Sequence, residues 1–454
     1  MPRSHLIKPL LDGEYAEVDY GKGIYIYDVE GKEYLDACSG AVTANIGHGR
    51  SEVIQAMQNQ AEKIAFVYRS QFTSKAAEEL ASWLSEKSDG HLNSAFFVNS
   101  GSEATETAIK IALQYWLEKG MPKKTKVISR WMSYHGITMG ALSMSGHPAR
   151  REKFSSILED WPVFEPPYCY RCPYGKEYPS CQLHCASYLE TIIKRLGEEN
   201  IACIIVEPVI GAAGGAITPP EGYYKKIKAL CDKYDILFVA DEVMTGCGRT
   251  GKMLALDHWG VKPDIAALGK GLGAGYAPIA AAVVSDKVMK PIWDGTKSIM
   301  SGHTFSANPL SCATALAVLK LIDEEKWMDM VEEKGQYLDA SLQKLSKQFN
   351  FIGEIRGKGL LIGLEFVKDC VTKESFSPGG AFTHKVVSAA NENGLLLYPA
   401  ASGIDGRSGD AVIIAPPINI TKREIDELVR RLRKTFESLE KNHVESGDEH
   451  EETI

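Results

Sequence analysis

The sequence predicts an α/β protein with a mostly parallel, doubly wound sheet followed by a smaller C-terminal α+β domain, and three observations carry that expectation. From about residue 95, short uninterrupted apolar runs alternate with amphipathic stretches of helical period, which is how strands covered on both faces read. Near residue 325 the alternation gives way to a long amphipathic segment and then to strands of more mixed character. The 454 residues provide for roughly two or three structural units with ample core.

The segment before residue 60 differs in pattern from the rest of the chain. The runs at 23–28 and 32–36, joined by Val29, Glu30 and Gly31, read as a hairpin in a lesser layer. Strands are expected at 95–98, 126–129, 202–206, 236–240, 265–268 and 280–284, with helices at 102–117, 186–196 and 222–234 between them. A helix near 308–323 closes this part. The smaller unit continues as a helix near 327–347, strands near 351–355 and 360–367, a helix near 382–393, a strand near 395–399 and a last helix from 422 to about 439. From Val444 onward Glu445, Asp448, Glu449, Glu451 and Glu452 leave almost nothing apolar, so a solvated tail is expected. The units are therefore an N-terminal segment (1–60), a large domain (61–325), a small domain (326–440) and an acidic, disordered tail (441–454).

Composition narrows the function. With 51 Lys and Arg against 59 Asp and Glu, the formal charge is −8 and there is no basic block, which argues against nucleic acid as a partner. No apolar run approaches the roughly 18 residues of a membrane span. Pro9, Asp12 and Glu14 interrupt any signal-like core at the N-terminus, and a cytoplasmic protein is expected.

In open α/β sheets, ligands sit beyond the carboxyl ends of the strands. Glu207, Asp241 and Lys270 are each expected there. Asp241 and Lys270 are roughly 30 residues apart, about one strand–crossover–strand unit, so neighbouring strands can bring them to one crevice. Lys270 stands among Gly269, Gly271, Gly273 and Gly275, where small neighbours let a planar group approach the backbone. Alone it also reads as a surface lysine in a glycine loop. A carboxylate opposite a Schiff-base lysine is what pyridoxal phosphate requires, since the acid keeps the pyridine nitrogen protonated and the ring able to accept electrons. Ser100, Gly101 and Ser102 open a helix after a strand, which suits either a phosphate site or a plain helix cap.

The stretch Phe238-Val239-Ala240-Asp241-Glu242-Val243-Met244-Thr245-Gly246-Cys247-Gly248-Arg249-Thr250-Gly251, with Pro263-Asp264-Ile265 and Gly269-Lys270-Gly271, resembles the signature of class III (omega) aminotransferases, pyridoxal-phosphate enzymes of fold type I with an aspartate-aminotransferase-like architecture. Ser100 to Ala104, Tyr134-His135-Gly136, Glu207-Pro208-Val209, Gly302-His303-Thr304-Phe305 and Ala415-Pro416-Pro417 match in the same chain order. The resemblance implies that Lys270 carries the cofactor as a Schiff base and moves the proton, and that Asp241 pairs with the pyridine nitrogen. It implies that Val243 and Tyr134 cover the two ring faces, beside His135, and that Gly101 and Ser102, with Ser100, form the phosphate site. Glu207 would help orient the ring, and Thr304 would reach the phosphate of a neighbouring subunit in an obligatory homodimer, itself able to form a tetramer. The substrates implied are a small-molecule amine and a keto acid, exchanged by a ping-pong route.

Within that family, Ala212 stands where 4-aminobutyrate and ornithine enzymes place a second glutamate, and Met244 replaces a common glutamine. This draws the sequence toward the omega-amine, beta-alanine and taurine:pyruvate group. A 4-aminobutyrate-type 2-oxoglutarate aminotransferase, or a racemase or aminomutase on the same fold, is the alternative. Arg407, in a glycine-rich loop, is the candidate for the substrate carboxylate, with Arg69 as its rival. Val42, Tyr68 and Ala212 are expected in the substrate pocket, with Trp131 and Ser39 as further guesses. Cys169, Cys172, Cys181 and Cys185 form C-x2-C and C-x3-C pairs beside His184. Reduced thiols, a structural zinc site and disulfides are all open for them, none with a catalytic part.

Overall fold

A computed structural model describes residues 5–377 and 379–448. The N-terminal hairpin is extended by a further strand into β1 (Val18–Lys22), β2 (Tyr25–Asp28) and β3 (Glu33–Asp36), paired antiparallel in sequence order.

The central sheet has seven strands: β4 (Ser94–Val98), β5 (Lys126–Arg130), β6 (Val163–Phe164), β7 (Ile201–Val206), β8 (Leu237–Asp241), β9 (Ile265–Leu268) and β10 (Ala280–Val284). Their spatial order is β4-β10-β9-β8-β7-β5-β6. Neighbours from β9 through β6 run parallel, and only β10 is antiparallel to both of its neighbours. The reason for the continuous apolar runs is visible in the packing. Ile204 and Val206 of β7 and Phe238 and Ala240 of β8 face one core, with the helices Lys75–Lys87, His184–Leu196 and Tyr223–Lys233. The alternate residues Cys203, Ile205, Leu237 and Val239 face a second core under the helix Gly101–Glu118. Each strand therefore buries both faces, so its sequence shows no alternation.

The small domain is an antiparallel sheet built from β11 (Ile352–Lys358) and β12 (Leu361–Phe366) with later strands. The expected single strand near 395–399 is two: β13 (Leu395–Leu396) joins β3 in parallel, and β14 (Tyr398–Ser402) pairs with β15 (Gly409–Ile414). Buried Leu397 lies between them, where the chain passes from one sheet to the other. β14 is an edge strand, which is why Pro399 is tolerated within it. Ile24, Leu35, Ile46 and Val53 share one core with Leu338, Phe366, Val386 and Phe436, so the expected boundary at residue 60 does not separate two cores. The last helix, Lys422–Asp448, runs past its expected end at about 439; residues 441–448 of the expected tail lie on it, and 449–454 fall outside the described residues. Among the described residues no helix is long and apolar enough to cross a membrane.

Candidate active site

The carboxyl ends of β7, β8 and β9 open on a cavity of about 180 Å3 lined by Gly101, Ser102, Tyr134, His135, Gly136, Glu207, Ala212, Asp241, Val243, Met244 and Lys270. Most of the residues expected around a cofactor are thus brought to one wall set. Asp241 ends β8; its Oδ2 lies 2.8 Å from His135 Nδ1, and its Oδ1 accepts from the Val243 amide at 3.1 Å. Glu207, directly after β7, accepts from the amides of Tyr134 (2.9 Å) and Gly211 (3.1 Å). Burial holds its carboxyl above the usual range, while His135 and these amides pull it back. Glu207 thus fixes the backbone that carries Tyr134, rather than touching Asp241.

Lys270 comes after β9 in a tight turn with φ +42, a left-handed conformation that costs a non-glycine residue energy and recurs at functional sites. Removal from water brings its amine down to about 8; Arg150 and Arg249 add to this, and Asp241 and Glu207 oppose it. Gly271 is obligatory in this turn, because a Cβ there would meet Asn45 Nδ2 at 2.0 Å.

At the other end of the cavity, Ser100 caps the helix Gly101–Glu118 in a reciprocal box with Glu103. Ser100 is exposed, spends its hydroxyl on the cap and is not a cavity wall. Ser102 Oγ accepts from the Ile137 amide at 3.0 Å, which leaves its own proton to donate to an anion at the helix N-terminus. A Cβ on Gly136 would stand 2.4 Å from that oxygen, and one on Gly101 would stand 2.9 Å from Val243 Cγ1. These glycines keep open the space a phosphate and a flat ring need.

The donor set fits pyridoxal phosphate: a lysine amine of lowered basicity, a buried carboxylate for a ring nitrogen, an aliphatic and an aromatic wall, and an anion cradle. His135 Nε2 is buried without a hydrogen-bond partner.

Other expected residues lie elsewhere. Thr304, expected at a neighbouring subunit's phosphate, is exposed on a turn and lines no part of this chain's own cavity, as that expectation requires. Val42 is buried in the main core rather than in a pocket wall, and Tyr68 is half exposed on the surface. Ser39 donates to the Ala415 carbonyl at 2.7 Å, and Trp131 is exposed. Arg407 pairs with Glu152 at 3.2 Å, and Arg69 donates to the Ser301 carbonyl at 2.6 Å, its guanidinium over the Phe96 ring. Neither arginine lines the cavity.

The four clustered cysteines are free thiols around one narrow cavity that His184 also lines. Burial, then neighbouring thiols, pushes Cys169 up to about 11. Among the described residues no group of three or more His, Cys, Asp or Glu is placed to hold a metal, so the zinc expectation gains no support. Arg249, which the sequence places within the signature stretch without a role, is fully buried and donates to Leu360 and Pro416 carbonyls, Asn45 Oδ1 and Ser39 Oγ. It ties the loop after β8 to both the N-terminal segment and the small domain; its place within the signature was the only signal of that role.

Residues 12–436 match the family Aminotransferase class-III. The chain is 52% identical over 439 residues to the uncharacterized aminotransferase YodT of Bacillus subtilis, covering 97% of this chain and 99% of that protein. It is 34% identical to the putrescine–pyruvate aminotransferase of Pseudomonas aeruginosa, over 96% of this chain and 95% of the relative. Among solved structures, a PLP-bound amine transaminase from an uncultivated Pseudomonas species superposes with a TM-score of 0.89 at 34% identity, over 96% of this chain and 98% of that one. Family membership and the Lys270, Asp241 and Ser102 geometry agree: the protein belongs to the class III aminotransferases, pyridoxal-phosphate-dependent enzymes of fold type I.

Proposed function

We propose that this aminotransferase moves an amino group from an omega-amino acid or primary amine to pyruvate by a ping-pong route. The observation that carries the reading is the cavity wall at Ala212, where a methyl group lines the same cavity as Glu207 and Asp241 and adds no second carboxylate to clamp an arginine. The putrescine–pyruvate relative supports it.

When bound, pyridoxal phosphate supplies an electron sink for the carbon–hydrogen bond beside the nitrogen. The chain does the rest. Ser102 and the first amides of the helix Gly101–Glu118 would hold the phosphate, Val243 and Tyr134 would bracket the ring, and Asp241, braced by His135, would keep positive charge at the ring nitrogen. Lys270 would take and return the proton of the substrate carbon, since its lowered basicity suits it to act as both base and acid near neutral pH.

The reading includes a homodimer with shared sites. Phe66, Tyr68, Phe72, Met300 and Phe305 are all exposed, and Phe305, next to Thr304 in the chain, packs edge to face with Phe66 at 5.9 Å between ring centres, apolar surface of the kind a second copy covers. Light scattering at micromolar concentration checks the assembly, with a single-chain mass counting against it. The function is tested with a panel of amines and omega-amino acids, each offered with pyruvate and with 2-oxoglutarate. Preference for pyruvate supports it. Preference for 2-oxoglutarate points to the 4-aminobutyrate-type enzyme, and turnover of one substrate with no keto acid points to a racemase or aminomutase.

A further inference from the structure

We propose that Arg150 receives the carboxylate of the keto-acid acceptor, an inference that rests on the aminotransferase activity proposed for this site. Arg150 lies on the single helical turn Pro148–Arg151, which comes after the cavity-wall residues Tyr134, His135 and Gly136. Its guanidinium is 4.6 Å from the centre of the Tyr134 ring. Its charge is felt by the Tyr398 phenol on β14 and by the amine of Lys270. The cation therefore sits against a ring of the cavity wall, near where Glu152 pairs with Arg407 of the small domain, and within electrostatic reach of the Lys270 amine.

What marks it as a receptor is the absence of an acid. Arg150 is half-buried, and among the described residues no carboxylate forms an ion pair with it. The arginines around it are engaged. Arg151 donates to the carbonyls of Leu142, Ser143 and Ser145; Arg407 is held by Glu152, and Arg249 is enclosed by four acceptors. A guanidinium partly withdrawn from water, over an aromatic ring and short of an anion, is suited to a carboxylate in two-pronged contact. A 2-keto acid has the required shape, because its carbonyl carbon must face Lys270 while its carboxylate lies one bond away.

The test uses the holoenzymes of wild type, Arg150→Met, Arg150→Lys and Arg407→Met, comparing pyruvate with propanal, an acceptor of equal chain length without a carboxylate. Losing a charged hydrogen-bond partner corresponds to about 10–100-fold. We expect Arg150→Met to raise the KM for pyruvate by about that factor and to leave kcat/KM for propanal within about twofold, with Arg150→Lys between and Arg407→Met like wild type. An unchanged pyruvate KM in Arg150→Met, an equal loss with propanal, or a loss confined to Arg407→Met overturns the assignment while leaving the aminotransferase reading intact. A wild-type enzyme that accepts no keto acid overturns both.

Discussion

Asp241 Oδ2 stands 2.8 Å from His135 Nδ1, and both side chains are almost wholly shielded from water. This pair, with the Val243 amide on Oδ1, fixes the direction in which the carboxylate faces the cavity. His135→Phe keeps a ring of similar size and removes the bond. Hydrogen bonds to a charged group contribute about 1.5–3 kcal/mol, so the variant should hold pyridoxal phosphate about 10–100-fold more weakly. Equilibrium dialysis of the reconstituted protein checks it; wild-type affinity would show that His135 only fills space.

Lys270 titrates at about 8 because it is withdrawn from water with Arg150 and Arg249 nearby. Only the neutral amine condenses with an aldehyde, and at pH 7.5 that form is about a quarter of the population, against about one in a thousand for an ordinary lysine. Reconstitution of the apoenzyme should therefore speed up about tenfold per pH unit below 8 and level off above it. Stopped-flow absorbance between pH 6 and 9.5 measures the profile, and a rate still climbing at 9.5 would return Lys270 to ordinary basicity. Lys270→Ala should abolish the phase altogether.

The chemistry at the strand ends was legible because it is local. Asp241 and Lys270 each sit at or just after an apolar strand, and the chain order of β8 and β9 makes them neighbours. Ser102 and Gly136 were legible for the same reason, as turn residues beside a strand or helix end. Arg150, Arg249 and Arg407 were not. A long side chain can reach partners far along the chain: whether Arg249 meets Pro416 or Arg407 meets Glu152 depends on how two domains close together, and whether Arg150 meets Tyr134 depends on the path of the chain between them. The division of 395–399 into β13 and β14 was hidden too, because both halves are equally apolar and only the positions of two separate sheets tell them apart.

Glu242, next to Asp241 but not a wall of the cavity, carries a pH signature. Its carboxyl is enclosed, accepts from Thr245 Oγ1 and from the Leu256 amide, and is pushed up to about 7 by burial. Below its unfolded value of 4.5 the group is protonated whether the chain is folded or not. Between 4.5 and about 7 only the folded protein holds the proton, so stability falls as pH rises through that window, and above it the loss is complete. At roughly 1.4 kcal/mol per pKa unit, the full loss is on the order of 3 kcal/mol. Glu242→Gln keeps the shape, can accept from Leu256 and donate to Thr245, and removes the titration. Urea unfolding should therefore find the two proteins nearly equal at pH 4.5 and the variant more stable by up to about 3 kcal/mol at pH 8. A difference that stays constant between those pH values would mean that Glu242 is ionised in the folded protein throughout.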